Sequence, residues 1–387
     1  MKKIALMNKI SEVGTRVFDK DRYNLAEKQE NPDAIMVRSA KLHDLEFGEN
    51  LKAIARCGAG VNNIPIERCT ENGIVVFNTP GANANGVKEL AVCALVLAAR
   101  DVLGGVNWAN GLGNENDVAK AVESGKSAFV GNELVGKKLG VIGLGAIGGM
   151  VANAANALGM TVVGCDPYIT PRAAWSLAPS IKQANDYDEI FRTCDYITLH
   201  VPATPQTKGM VSDKTISMMK KGVRLINLAR ADLVDVSAVK RGLENGKIAK
   251  YVTDFPTNET VGVQGIVNIP HLGASTIESE DHCALMAAKQ LDEYLTNGNI
   301  QNSVNFPNVS LPHTAGARVC VIHKNVPNML TQITTAFSAD NVNIENLANG
   351  SKGEVAYTIV ETTNRVEDQV LDRVKKIDGV YKINCYE

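Results

Sequence analysis

The stretch KLGVIGLGAIGGMVANAANALGMTVVGCD, Lys138 to Asp166, constrains the fold more than any other part of the chain. An apolar, β-rich run ends at Gly143-x-Gly145-x-x-Gly148. An Ala-rich helical run follows, and a second apolar run, TVVGC, ends on an acid. In that context the first glycine permits a tight turn, the second lets the backbone approach a pyrophosphate, and the third allows close packing of helix on strand. Ala146 and Ile147 open the helix, whose first N–H groups and positive dipole end face the same point. Asp166 stands eighteen residues past Gly148 (166 − 148 = 18). A carboxylate there accepts hydrogen bonds from ribose hydroxyls and repels a 2′-phosphate, so the expected cofactor is NAD rather than NADP. The alternative, a glycine-rich turn beside a surface Asp, does not account for the strand–turn–helix–strand order.

The rest of the chain is punctuated in the same way. KKIALM, AIMVRS, KAIARCG and IVVFNT precede the glycine turn, and DYITLHVPA, VRLINLARADLVD, YVTDFP and IVNIPHLGAS follow it. Each is a strand-like run ending in a turn or in polar residues, the alternation of a parallel α/β protein. Long helices are expected over about 86–103 and 279–295, with a polar, Gly-rich connection over 104–137. After the stop signal Asn297-Gly298, NGNIQNSVNFPNVSLPHTAGA reads as a linker. Residues 318–387 then read β-α-β-β-α-β, a ferredoxin-like module.

Composition excludes several classes. Forty Lys and Arg against forty-two Asp and Glu give a net charge of −2, without the concentrated basic face that nucleic-acid binding needs. The eight cysteines (57, 69, 93, 165, 194, 283, 320 and 385) are scattered without a C-x-x-C pair, as buried thiols of a reducing compartment are, and no metal site is expected. The opening MKKIALMNKI is broken by Asn8 and Lys9, so it reads as a strand rather than a signal core. Leu90 to Ala99 is too short to span a bilayer. A soluble, cytoplasmic protein is expected.

Three residues at strand ends carry the chemistry: Arg230 in NLARADLVD, Glu259 in TDFPTNE and His271 in IPHLGAS. Hydride transfer from a 2-hydroxy acid needs a base for the hydroxyl proton and a cation for the carboxylate. An imidazole and a guanidinium fork suit those roles. A carboxylate beside the imidazole orients it and raises its pKa. Singly, each has an ordinary reading as a core histidine or a surface charge.

As a set they are recognisable. GLGAIG with Asp166, LHVP at Leu199–Pro202, NLAR at Asn227–Arg230, Asp254 with Glu259, and PHLGAST at Pro270–Thr276 resemble the D-isomer-specific 2-hydroxyacid dehydrogenases in order and spacing. RCGAGVNNI (Arg56–Ile64) and NTPG (Asn78–Gly81) match that family's other lobe. The resemblance covers about residues 1–310. It implies two Rossmann-like doubly wound lobes: a discontinuous substrate lobe, 1–95 with 283–312, and a central NAD lobe, 96–282. The ferredoxin-like module follows at 316–387. It implies that Arg230 binds the substrate carboxylate and carbonyl, that His271 is the acid/base and that Glu259 is its partner. Asp254 is placed near the nicotinamide, with further cofactor contacts from His200, Val201, Pro202, Thr207, Leu228, Ala229, Gly273 and Ala274. The substrate set is Arg38, Ser39, Gly58, Ala59, Gly60, Asn78 and, from a neighbouring subunit, Lys126.

The chain departs from the family pattern at Asn62 (usually Asp), Ala231 (usually Gly) and Thr260 (usually Pro). His271 follows Glu259 by only twelve positions, a short loop. Arg38 resembles the phosphate support of members acting on D-3-phosphoglycerate. The C-terminal module resembles an ACT domain, which such members often carry, with His323, Asn325 and Asn343 matching an L-serine effector site between two paired modules. Asn328 replaces the usual Gly. The resemblance thus implies a homo-oligomer, dimer or tetramer, that oxidises D-3-phosphoglycerate with NAD. A glyoxylate or hydroxypyruvate reductase is the alternative within the family, and an NAD(H)-sensing corepressor the alternative outside enzymes.

Overall fold

A computed structural model describes residues 1–313 and 316–386. The chain divides into two compact units, Met1–Asn83 with Ile277 onward, and Ala84–Thr276. In the first, β1 (Lys2–Met7), β2 (Tyr23–Ala26), β3 (Ala34–Val37), β4 (Ala53–Arg56) and β5 (Val75–Phe77) form a parallel sheet in the order β2-β1-β3-β4-β5. The unbroken apolar runs AIMV and VVF are buried throughout, as strands covered on both faces must be. The Ile277–Asn297 helix lies on one face and adds Cys283, Ala284, Ala287, Leu291 and Leu295 to a core that includes Ile4, Met36 and Ala55.

The stretch after that helix is not a loose linker. Ile300, Phe306 and Val309 are buried in the same core. The Asn305 carboxamide accepts from the Val76 N–H (2.9 Å) and donates to the Ile74 carbonyl (2.9 Å), closing the open edge of β5 as another strand would. Thr314 and Ala315, at the end of that stretch, lie outside the described residues.

The second unit holds β6 (Lys138–Ile142), β7 (Thr161–Cys165), β8 (Lys182–Gln183), β9 (Tyr196–Leu199), β10 (Val223–Asn227), β11 (Ile248–Thr253) and β12 (Ile266–Asn268). They pair in parallel in the order β12-β11-β10-β9-β6-β7-β8, so the winding direction reverses at β6. Two expectations need correction here. The helix expected over 86–103 is two helices, Ala84–Ala99 and Val102–Asn110, broken at Arg100–Asp101. The expected connection over 104–137 contains that second helix and another, Val118–Gly125, which starts where the Asp117 side chain accepts from the Lys120 N–H at 3.0 Å. The whole Ala84–Ala99 helix packs on this sheet through Val87, Ala91, Ala94, Leu95 and Ala98. The division therefore falls at 83/84 and 276/277 rather than 95/96 and 282/283, because neither long helix is split.

The C-terminal module has the expected order. Its strands β13 (Ala317–Lys324), β14 (Ile344–Lys352), β15 (Val355–Thr362) and β16 (Val380–Tyr386) form an antiparallel sheet, β14-β15-β13-β16, with helices Met329–Ser338 and Asp368–Lys375 on one face. Glu387 lies outside the described residues. The other face is covered: Cys320, Ile322, Tyr357, Ile359 and Tyr386 share one core with Leu291 and Tyr294 of the Ile277–Asn297 helix. The module is thus part of the first unit rather than a separate body. At the joint, the buried Arg318 guanidinium bonds Glu361 Oε1 (2.5 Å from Nη2, 3.2 Å from Nε), the Asn297 and Leu311 carbonyls (2.6 and 2.8 Å) and Asn299 Oδ1 (3.2 Å). Among the described residues no helix is long and apolar enough to cross a membrane, and no cluster of side chains is suited to a metal ion.

Candidate active site

The carboxyl edge of the seven-stranded sheet collects the chemistry. Along that edge, in spatial order, stand His271 after β12, Asp254 after β11, Arg230 after β10, His200 after β9, Gly143 after β6 and Asp166 after β7. Ligands of open α/β sheets bind there, at the point where strand order reverses. The glycines behave as their spacing demands. Gly143 has φ +90°, and a Cβ on it would lie 2.5 Å from the His200 carbonyl oxygen. A Cβ on Gly148 would lie 1.9 Å from the Gly143 oxygen, whereas one on Gly145 would meet nothing within 4 Å. The Ala146–Ala157 helix has no side-chain cap. Its N-terminal N–H groups therefore point at open space over Gly145, a cradle that fits a pyrophosphate.

The Asp166 carboxylate is built into that turn, accepting from the N–H groups of Leu144 and Tyr168, each at 2.9 Å. Each oxygen keeps a lone pair for a ribose hydroxyl. His200 bonds Thr198 Oγ1 at 2.9 Å, and burial pushes its pKa down to about 4, so the imidazole is neutral at physiological pH. Val201 is buried. The Thr207 hydroxyl donates to the Pro202 carbonyl at 2.6 Å and accepts from the Thr204 N–H at 2.8 Å, so it fastens its own loop.

At the other end, Asn227 fixes the Leu228–Arg230 turn. Fully buried, it accepts from the N–H groups of Ala229 and Arg230 and donates to the Arg230 carbonyl at 2.8 Å. Asp254 is also buried, with Oδ1 lacking any partner. Burial raises its pKa, against the nearby positive charge of His271, a hydrogen bond from the Gly273 N–H and the charge of Arg230. His271 itself has φ +25°, and its N–H donates to the Asp254 and Ile269 carbonyls at 3.1 and 3.0 Å. The imidazole is exposed and packs 5.1 Å from the Phe255 ring.

The first unit has a site of its own at the ends of β3, β4 and β5. Asn8, with φ +80°, accepts from the N–H groups of Ser39 and Ala40 at 3.0 and 2.8 Å and so positions the Arg38–Ser39 turn. Gly58 has φ +151°, and the Arg56 guanidinium occupies the place a Cβ would take. Asn78 donates to the Ala59 carbonyl at 2.7 Å, and Thr79 N–H to the Gly58 carbonyl at 3.1 Å, fixing the loop that runs on through Gly60. The Asn78 carbonyl is in turn held by Gln290 Nε2 at 3.0 Å.

Comparison with known proteins agrees with this geometry. Residues 106–281 match the NAD-binding domain of D-isomer specific 2-hydroxyacid dehydrogenases. D-3-phosphoglycerate dehydrogenase 1 of Saccharomyces cerevisiae is 30% identical over 97% of this chain and 85% of its own length. The chain belongs to the D-isomer-specific 2-hydroxyacid dehydrogenases. Residues 319–382 match an AHAS small subunit-like ACT domain. D-3-phosphoglycerate dehydrogenase of Methanocaldococcus jannaschii is 36% identical over 74% of the chain, which spans about half (54%) of that relative's length. The NAD+-bound 3-phosphoglycerate dehydrogenase of Entamoeba histolytica superimposes with a TM-score of 0.61 at 27% identity, covering 79% of this chain and 98% of the other.

For a 2-hydroxyacid dehydrogenase, one placement differs from the sequence-based expectation, that of Glu259. Among the described residues Glu259 and His271 share no hydrogen bond or ion pair. The short loop folds on itself, with buried Thr260 Oγ1 accepting from the Thr257 N–H (2.8 Å), and leaves Glu259 exposed; the carboxylate whose field His271 shares is Asp254. Arg38 forms an ion pair with Glu280. Lys126 pairs with Glu123 on an exposed segment. The effector residues do not converge within one module. His323 pairs across the sheet with Ala356, and Asn325 follows at that end, where its N–H donates to the Glu354 carbonyl. Asn343 precedes Ile344, which pairs with Thr362 at the far end of β15. Asn227, Asn8 and Glu280 are the residues that sequence reasoning missed.

Proposed function

We propose that the chain oxidises D-3-phosphoglycerate to 3-phosphohydroxypyruvate with NAD. The observation that carries this reading is the convergence of His271, Asp254 and Arg230 on adjacent strand ends, in one sheet with the Gly143 turn. NAD, when bound, supplies the hydride acceptor. His271 takes the C2 hydroxyl proton as hydride leaves and returns it in reverse. Arg230 grips the carboxylate as a fork. The Gly58–Gly60 loop offers further N–H groups, and Arg38 pairs with the phosphate. The Asp254 carboxylate acts on the imidazole by charge, and its carbonyl holds the His271 backbone N–H. The test is NADH oxidation with 3-phosphohydroxypyruvate, hydroxypyruvate and glyoxylate. The highest kcat/KM falls on the phosphorylated substrate, and equal values on all three would overturn the assignment. A hydroxypyruvate or glyoxylate reductase is the second reading, favoured by one observation, the neutralisation of Arg38 by Glu280.

Cofactor choice gives a further expected result. Asp166→Ala narrows the preference for NADH over NADPH by about 10–100-fold, the effect of losing charged hydrogen bonds and a phosphate-repelling charge. A wild-type enzyme using both cofactors equally would remove the role assigned to Asp166.

The same reading extends to location and assembly. The enzyme works in the cytoplasm as a homo-oligomer. The Val102–Asn110 helix has no buried residue, and its Val102, Leu103 and Val106 are 40–49% exposed, an apolar face suited to a second copy. L-serine binds between paired modules and inhibits. His323 is buried within its own module, with Nδ1 near the Lys324 carbonyl and Nε2 on Thr358 Oγ1, both 2.8 Å, and burial lowering its pKa. Asn325→Ala abolishes serine inhibition while leaving uninhibited turnover. Calorimetry showing no heat with millimolar L-serine would end the effector reading alone.

A further inference from the structure

Arg38 has a partner before any substrate arrives. Its Nη2 lies 2.5 Å from Glu280 Oε1, and the two side chains are 41% and 42% exposed. Glu280 lies in the first turn of the Ile277–Asn297 helix, whose Cys283, Ala284 and Ala287 are locked in the core beneath it. The helix cannot withdraw to release Arg38. The part-exposed Glu280 side chain can turn away, into solvent. Behind Arg38, its carbonyl accepts from Arg56 Nε at 3.1 Å, so the backbone of the turn is held as well.

We propose that Glu280 is a specificity-determining residue that competes with the substrate's phosphate for Arg38. This rests on Arg38 being the phosphate ligand. The guanidinium edge that meets Glu280 is the edge a phosphate uses, and a carboxylate cannot remain beside a phosphate dianion without like-charge repulsion. A phosphorylated substrate must therefore displace Glu280, whereas hydroxypyruvate need not. Glu280 sets a threshold. An anion bound by its phosphate alone, such as inorganic phosphate, gains too little elsewhere to displace it. A substrate also gripped at its carboxylate passes.

The experiment compares wild type, Glu280→Gln, Glu280→Asp and Arg38→Ala, with 3-phosphohydroxypyruvate and hydroxypyruvate as substrates. Inorganic phosphate serves as a competitive probe. Glu280→Gln is expected to lower the KM for 3-phosphohydroxypyruvate and the Ki of phosphate each by about fivefold, the scale of a part-exposed ion pair. Its kcat and its KM for hydroxypyruvate move less than about twofold on the same scale. Glu280→Asp, which keeps the charge, stays near wild type. A Glu280→Gln variant with an unchanged or higher KM for the phosphorylated substrate, alongside an Arg38→Ala variant that raises it, would overturn the proposal and leave Arg38 in place. An Arg38→Ala variant that treats both substrates alike overturns the phosphate reading and this proposal with it.

Discussion

His271→Ala lowers kcat by about 10²–10⁴-fold, the range that general acid–base groups contribute, while NADH binding stays nearly intact. No other group at that edge can substitute. His200 is the other imidazole there, and burial pushes its pKa down to about 4, so it is not an imidazolium at neutral pH and is a weak base. Asp254 is buried, with one oxygen accepting from the Gly273 N–H and Oδ1 without a partner, and a guanidinium such as that of Arg230 has no lone pair to accept a proton. Binding is spared because His271 follows β12, four strand positions from β6, which is about 19 Å along the edge at the usual strand spacing. The measurements are single-turnover rates and a fluorescence titration with NADH. Retention of more than half of the wild-type kcat would exclude His271 as the acid/base.

Arg318→Ala has the largest expected effect on stability, a loss of about 3–5 kcal/mol, because removing one partner of a buried ion pair strands the other. Arg318 and Glu361 are 0% and 1% exposed. Burial alone would raise the Glu361 pKa, but hydrogen bonds from Arg318 and Asn346 outweigh it and hold the carboxyl below its ordinary value. A depressed carboxylate stabilises the fold above its unfolded-state pKa and loses that contribution as pH falls through the folded-state value. The wild type therefore loses stability on the acid side, below the usual carboxylate range, and Arg318→Ala flattens that part of the profile. Urea titrations from pH 7 downwards test this. An Arg318→Ala variant within 1 kcal/mol of wild type at pH 7 would show that the joint is solvated.

The two sheets and the dinucleotide turn were legible because parallel strands buried on both faces leave unbroken apolar runs, and because each glycine of GLGAIG has a separate steric task. His271 and Arg230 were legible as reactive types at strand ends. What escaped detection lacks such signatures. The Val102–Asn110 helix buries nothing and includes Gly104 and Gly105, so it shows no core-facing period. The Asn305 edge closure and the Glu280 pair join residues 229 and 242 positions apart, which no local pattern encodes. Asn227 and Asn8 act through carboxamides on backbone N–H groups, and neighbouring asparagines with ordinary roles look the same in sequence. Glu259 was assigned from its motif, but the fold of its loop was not readable from residue types.

The shared core beneath the C-terminal sheet also decides what kind of part the ACT module is. A module on a flexible tether can be cut off, exchanged or borrowed like a cassette. This one cannot, because Cys320, Ile322, Tyr357 and Tyr386 are wall panels of the first unit's own interior. Deleting it would uncover Leu291 and Tyr294 and leave an aggregation-prone remainder. A grafted relative would need its sheet re-faced residue by residue.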